Sequence, residues 1–179
     1  MEPIEVMPIT EIGNFAQLAA DYAALLTHPS NKDLLLDFPN TVARYGGESD
    51  EAVRRFELAR QRCADVERHQ FLIMVDGRAV GNASVDQPAE VPADVSAIYA
   101  NASLFVCHPF RGRGLGGLAL DTQLTVIRAN YAGAWTTVRA SNVASHGLIR
   151  SRGFKPIGAQ PGRVEEEVIY MWQDTSRSL

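Results

Sequence analysis

The 179-residue chain is predicted to fold as a single α/β domain, with one mixed, mostly antiparallel sheet of six to seven strands flanked by about four helices. Three observations predict it. Strand-like apolar runs and amphipathic stretches of helical period follow one another in the order β-α-(α)-α-β-β-β-α-β-α-β-β. Tight turn signals join the strands at Asp76-Gly77 and Gln160-Pro161-Gly162, and such hairpins are antiparallel. A strand, a glycine-rich turn and a helix are contiguous over residues 104–127. No repeat, low-complexity tract or internal linker divides the chain.

In order, residues 4–9 read as a first strand. Thr10 suits an N-cap, with Glu11 in the first turn facing the positive end of the helix dipole. Ile12, Phe15, Leu18, Tyr22 and Leu25 then recur at helical spacing until His28-Pro29. Residues 32–47 are irregular and read as a short helix plus loop. Residues 50–68 form a second amphipathic helix, with Val53, Phe56, Ala59, Cys63 and Val66 on one stripe and a solvated charged face opposite. Residues 70–75 and 78–85 are the two arms of a hairpin, and residues 86–94 a loop. Residues 96–107 enter the glycine turn, which Pro109 separates from the strand because proline cannot donate to a ladder. Residues 135–140 are β-prone. Asn142 caps a helix that ends near Arg152, with Gly153 as the residue beyond it. Gly147 inside that helix costs roughly 1 kcal/mol against alanine, which suggests close packing there. Residues 154–158 and 164–172 close the sheet.

The composition, 46% hydrophobic and 21% charged, is that of an ordinary globular protein. A net charge of −4 argues against a nucleic-acid partner, which calls for a basic face. No apolar run reaches the roughly 18 residues of a membrane span. Met1-Glu2-Pro3-Ile4-Glu5 carries acid where a secretory signal carries base, so the expected location is the cytoplasm. Cys63 and Cys107 sit in apolar patterns and read as reduced core residues, with a catalytic Cys107 as the alternative. The four histidines show no metal-ligand spacing, and no metal is expected.

The chemistry concentrates at the glycine turn. Gly112, Gly114, Gly116 and Gly117 lie between a strand and a helix, so unpaired backbone N–H groups gather at the positive end of the helix dipole. Such a place binds phosphate. Arg111 and Arg113 add fixed positive charge suited to phosphate oxygens. The turn is therefore a candidate diphosphate cradle. Gly112-Arg113-Gly114-Leu115-Gly116-Gly117 satisfies the dinucleotide fingerprint G-x-G-x-x-G. That fingerprint also needs an acid near the end of the next strand to hold a ribose, and residues 135–140 contain none. A nicotinamide oxidoreductase is disfavoured on that ground, and a P-loop fails because no Gly-Lys-Ser/Thr follows.

Arg111-x-x-Gly114-x-Gly116, preceded by Val106-x-x-Pro109, resembles motif A of the GNAT superfamily of N-acetyltransferases, Gln/Arg-x-x-Gly-x-Gly/Ala. Residues 142–154, Asn142-Val143-Ala144-Ser145-His146-Gly147-Leu148-Ile149-Arg150-Ser151-Arg152-Gly153-Phe154, resemble its motif B. The element order over residues 4–172 also resembles that of the family, so the likeness covers nearly the whole chain. It implies acetyl-CoA as cosubstrate and an amine as acceptor, in a fold whose fourth and fifth strands part to admit the cofactor. The backbone of Phe105 and Val106 would bond the pantetheine arm, and one such N–H would stabilise the tetrahedral oxyanion. Arg111, Gly112, Arg113, Gly114, Leu115 and Gly116, continued by Gly117, would hold the pyrophosphate. Asn142 would bond the arm beyond the fifth strand, or serve only as a helix cap, and Ser145 and Gly147 would line the channel. Arg150 would reach the cofactor phosphates or simply complement the helix end. Family members often dimerise, but nothing in the sequence sets the oligomeric state.

The implied reaction is direct attack of an amine on the thioester within a ternary complex, in which the amine loses a proton and the leaving thiolate gains one. The family's usual proton donor is a tyrosine at the position of Ile149, which cannot donate. Ser145, one turn earlier, is the candidate substitute. Many members carry a basic carboxylate on the fourth strand, but residues 99–104 hold none, which leaves Asp94, residues 32–47 or a water chain. His108 has a suitable pKa range but reads as a surface or cofactor-rim residue at the strand's end. Glu165, Glu166 and Glu167 could draw in a cationic amine, although their place in a strand pattern with Val168, Tyr170 and Trp172 favours exposed positions. Acceptor specificity is expected in residues 32–47 and 86–94. Two function classes follow, an N-acetyltransferase acting on a small-molecule or protein amine and a non-catalytic acyl-CoA sensor.

Overall fold

A computed structural model describes residues 3–13, 17–18, 20, 61, 63, 68–87, 91–92, 95, 98–162 and 165–174 of the chain. Seven strands form one sheet in the order β1-β2-β3-β4-β5-β7-β6. They are β1 (Ile4–Pro8), β2 (Arg68–Val75), β3 (Arg78–Asp86), β4 (Tyr99–Val106), β5 (Gly133–Arg139), β6 (Lys155–Pro161) and β7 (Glu166–Gln173). Every neighbouring pair is antiparallel except β4 and β5. The β2–β3 turn holds Asp76 at φ +50 and Gly77 at φ +70, the left-handed geometry that a two-residue hairpin needs to match strand twist.

A parallel pair needs a crossover, and α1 (Leu115–Asn130) supplies it between β4 and β5. A second helix, α2 (Val143–Ser151), links β5 to β6. The described residues thus show two α-helices where about four were expected. The other two expected helices fall almost wholly outside the described residues, of which Gln17, Leu18, Ala20, Gln61 and Cys63 are helical. Thr10 does not act as an N-cap here. It lies inside a 3₁₀ turn, Ile9–Glu11, that follows Pro8 and has no side-chain cap. No described helix is long and apolar enough to cross a membrane.

The core lies on both faces of the sheet. On one face Leu115, Ala119, Leu120, Leu124 and Ile127 of α1 bury their stripe against Phe71, Ile73, Val80, Val85 and Ala102. On the other, Leu72, Met74 and Phe105 pack with Ile9 and Ile12. Gln123 interrupts the α1 stripe, fully buried. Its amide nitrogen donates to the Ser84 carbonyl at 2.7 Å and the Ser103 carbonyl at 2.8 Å, fixing the helix over β3 and β4.

The parallel pairing of β4 and β5 is short. It joins Tyr99 to Gly133, Ala100 to Ala134 and Asn101 to Trp135, and stops there. Beyond it β4 stays with β3 as far as Val106, while β5 stays with β7 as far as Arg139. The two halves of the sheet therefore part toward the carboxyl ends of both strands, as the family resemblance implied.

Candidate functional site

A cavity of about 600 Å³ occupies that split. Leu104, Phe105 and Val106 of β4 form one wall, and Thr137, Val138 and Arg139 of β5 the other. The glycine turn closes one side through Arg111, Gly112 and residues 114–117. Asn142, Ala144, Ser145 and Leu148 of the α2 region, with Phe110 and with Glu167 of β7, complete the lining.

The turn has the geometry that its sequence requires. Gly112 and Gly114 take φ +77 and +81, which L side chains rarely adopt, and a Cβ on either would meet no atom of the described residues within 4 Å. The turn thus faces open space. Gly114 is the left-handed N-cap of α1, and no side chain caps that helix end. Among the described residues nothing accepts from the backbone N–H of Gly112, Gly114, Leu115 or Gly116. These donors and the dipole of a 16-residue helix converge on one place. The residues present fit a diphosphate.

Arg111 also has a structural task. Its Nε donates to the Val106 carbonyl at 2.9 Å and its guanidinium lies 5.5 Å from the Phe105 ring centroid, tying the turn to the end of β4. Arg113 is not part of the cavity wall; its guanidinium stands 5.7 Å from the centroid of Phe110. Leu115 points inward, 2% exposed, and anchors the first turn of α1. At Gly116 a Cβ would lie 3.1 Å from Leu148 Cδ2, so α1 and α2 approach closely there.

Across the cavity, Asn142 caps α2 by accepting from the Ser145 N–H at 3.2 Å, and both residues line the cavity. Ile149 is 5% exposed in the core, which explains its apolar character. Gly147 differs from expectation: among the described residues a Cβ there would meet nothing within 4 Å, and the residue is not in the cavity wall. Arg150 places its guanidinium 5.6 Å from the Tyr170 ring centroid and is likewise absent from that wall.

The three glutamates separate. Glu165 accepts from the Ser141 N–H at 3.2 Å and from its hydroxyl, and those bonds, with the field of Arg139, hold its carboxyl below the usual range. Glu166 is exposed. Glu167 is half-buried and lines the cavity. Its Oε2 accepts from the Gln160 amide at 3.3 Å, while Oε1 bonds to no described residue. Strand alternation sets Glu167 on the opposite face from Glu166. What it could not reveal was which face meets the split. Thr137 and Arg139 carry no sequence signal for the same reason.

Other candidates fall away. Cys107 is completely buried in the core, and burial pushes its thiol up to about 12, so it supplies no thiolate at neutral pH. His108 is exposed at the start of a 3₁₀ turn, outside the cavity wall. Asp94 and residues 32–47 lie outside the described residues, as does part of the 86–94 loop.

A family model described as "Acetyltransferase (GNAT) family" matches residues 32–154. No curated protein matches the sequence. Among solved structures, RimL, a ribosomal L7/L12 alpha-N-protein acetyltransferase in complex with coenzyme A, superposes with a TM-score of 0.73 at 17% identity, over 97% of this chain and 96% of that one. The ribosomal-protein-S5-alanine acetyltransferase from Vibrio fischeri gives a TM-score of 0.74 at 12% identity, over 99% and 97%. MccE, the microcin C7 self-immunity acetyltransferase in complex with acetyl-CoA and AMP, gives 0.70 at 14%, over 89% and 88%. At such identities the structural likeness speaks for the fold, and the sequence match, which spans most of the chain, speaks for the family. With its split sheet and its open glycine turn, the chain belongs to the GNAT family of acetyltransferases.

Proposed function

We propose that the protein transfers the acetyl group of acetyl-CoA to a primary amine, with both substrates held together in the split between β4 and β5. The observation that carries this reading is one cavity that joins an uncapped glycine turn, the unpaired edge of β4 and a half-buried carboxylate. The N–H groups of residues 112–116 bind the pyrophosphate. The edge of β4 that β5 leaves turns the Val106 N–H toward the pantetheine arm and the thioester oxygen, where it stabilises the oxyanion, while the backbone of Phe105 bonds toward β3. Asn142 and Ser145 hold the arm from the α2 side. Glu167 takes the proton that the attacking amine must lose, because among the described residues it is the carboxylate in the cavity wall and its Oε1 bonds to no described residue. As the carbon–sulfur bond breaks, the Ser145 hydroxyl passes a proton to the thiolate and regains one from solvent. The neighbours named above act on ribosomal proteins or confer microcin immunity, so the fold alone leaves the acceptor open.

Calorimetric titration with acetyl-CoA, followed by thiol release with a panel of amines, tests the reading. Binding that is lost in Gly114→Glu, together with amine-dependent thiol release, is the expected result. The core position of Ile149, where the family's tyrosine would stand, favours a second reading as an acyl-CoA sensor. Tight binding with no thiol release from any amine would favour the sensor. No binding of any acyl-CoA would overturn both.

A further inference from the structure

Two polar side chains that the reaction as described does not use meet behind the cavity. Tyr170 of β7 is fully buried, packed with Val168 and Trp172 on the face of the sheet that α1 and α2 cover. A buried phenol needs a partner for its hydroxyl. That partner is His146 of α2, whose Nδ1 lies 2.8 Å from the Tyr170 oxygen. The other ring nitrogen, Nε2, lies 3.3 Å from the carbonyl oxygen of Ala140. One imidazole thus joins the first half of α2, the corner that follows β5 and the middle of β7.

This three-way contact fixes where the protons sit. The Ala140 carbonyl can only accept, so Nε2 carries the ring proton and donates to it. A neutral imidazole then offers a lone pair at Nδ1, and the Tyr170 hydroxyl donates there. A second proton on the ring would make Nδ1 a donor and leave the hydroxyl hydrogen without an acceptor in the core. The registered neighbours of Tyr170 on β5 and β6, Thr136 and Pro156, bring no charge. The charged side chains around the pair are Arg150 of α2, over the Tyr170 ring, Arg128 of α1, over the Trp172 ring, and Arg139 with the Ser141-bonded Glu165 at the corner. Among the described residues no carboxylate bonds to the ring.

The contact also sets how α2 presents itself to the cavity. Residues three apart share a helix face. Ser145 and Leu148 line the cavity, whereas His146 and Ile149 turn toward the core, where Ile149 is buried. The bond to Tyr170 therefore fixes the rotation of α2 about its own axis, and with it the direction of Ser145. The bond to Ala140 braces the corner from which Asn142 projects, where the Asn142 N–H also donates to the Arg139 carbonyl at 2.9 Å.

We infer that His146 is a positioning residue: in its neutral form it ties α2 to Tyr170 and to the β5 corner, and so holds Asn142 and Ser145 where they receive the pantetheine arm. This rests on the acetyltransferase reading above, in which that arm lies along the α2 side of the split. The imidazole itself is outside the cavity wall and acts through the helix.

The test is calorimetric titration with acetyl-CoA at pH 8 and at about pH 5.5, an interval in which imidazoles ordinarily change charge. It compares wild type, His146→Asn, His146→Leu and Tyr170→Phe, with a thermal melt of each free protein beside it. Asparagine places an acceptor oxygen near the position of Nδ1 and cannot be protonated, whereas leucine keeps only bulk. At pH 8 His146→Asn is expected to bind as wild type does, and His146→Leu roughly tenfold more weakly. Between the two pH values the wild type should lose about tenfold more affinity than His146→Asn, since protonation of the cofactor phosphates affects both alike. Tyr170→Phe should follow His146→Asn in that ratio, because no hydroxyl hydrogen is left to orphan. A side chain with a merely structural role would lower the melting temperature without separating wild type from His146→Asn by pH. Equal pH dependence in those two, or binding by His146→Leu as tight as wild type at pH 8, would overturn the positioning role and leave the acetyltransferase reading intact. If His146→Leu does not fold, the pH comparison of wild type with His146→Asn decides alone. No acetyl-CoA binding by the wild type would overturn both.

Discussion

Arg152, just past the end of α2, grips Asp121 of α1 through two bonds, Nε to Oδ1 at 2.9 Å and Nη2 to Oδ2 at 3.1 Å. The pair holds together the two helices that carry the glycine turn and the Ser145 side of the cavity. Gly117 lies beneath it, where a Cβ would come within 2.9 Å of Arg152 Nη2. Both side chains are substantially exposed, so the pair contributes about 0.2–1 kcal/mol. The bond from Arg152 holds the Asp121 carboxyl below the usual range. Its contribution is therefore present above the ordinary aspartate pKa and is lost as pH falls through the lowered value. Thermal melts should show Asp121→Asn less stable than wild type at pH 7, with the difference shrinking as the pH falls below 4 or so.

Gly114→Ala separates strain from ligand binding. The left-handed conformation costs an alanine about 1–2 kcal/mol, and no atom of the described residues stands in the way of its Cβ. A modest fall in Tm is expected without ligand. The added methyl projects where the diphosphate is proposed to lie, so the stabilisation by saturating acetyl-CoA should fall far more than the Tm does. A full ligand-induced shift in this variant would place the phosphates elsewhere.

Glu167→Gln keeps the shape of the cavity wall and removes the base. Thiol release at saturating amine should drop by roughly 10²–10⁴, with acetyl-CoA affinity unchanged. A drop of less than threefold would remove Glu167 from the proton-transfer role.

Gln123→Leu tests the buried clamp. The two carbonyls that Gln123 satisfies would lose their donor, and the expected cost is about 1–3 kcal/mol in denaturant unfolding. A neutral result would mean that those carbonyls find other partners.

Cys107 has a pH signature of its own. Burial raises its thiol pKa to about 12, so the stability linked to the neutral form is intact below the unfolded-state value and is lost as pH rises toward 12. Wild type should lose stability above about pH 9 relative to Cys107→Ala. Iodoacetamide at pH 8 should label Cys107 only on unfolding, and labelling at the rate of an exposed thiol would contradict its burial.

The signals that the sequence carried faithfully were local. Asp76-Gly77 forms the hairpin turn, Asn142 caps α2, and Gly153 takes φ +86 just beyond it. Each depends on a few adjacent residues. Gly147 and Thr10 show the limit of that reasoning, since a helix glycine need not mark close packing and a residue type that suits a cap can lie inside a 3₁₀ turn instead. Gln123 reads as an ordinary polar helix residue, and only its bonds to strands 20 and 39 residues away show it to be buried.

By itself the sequence determined the glycine turn, the two motifs and their order, because positive φ, capping and motif spacing are written in neighbouring residues. The tertiary structure alone decided where the parting implied by the family resemblance begins, after three residue pairs between β4 and β5. It also decided that Arg139 meets Glu167, 28 positions further on, in the wall of the resulting cavity. Which face of a strand looks into a cleft depends on register with its neighbours, and register is settled only when the whole sheet packs.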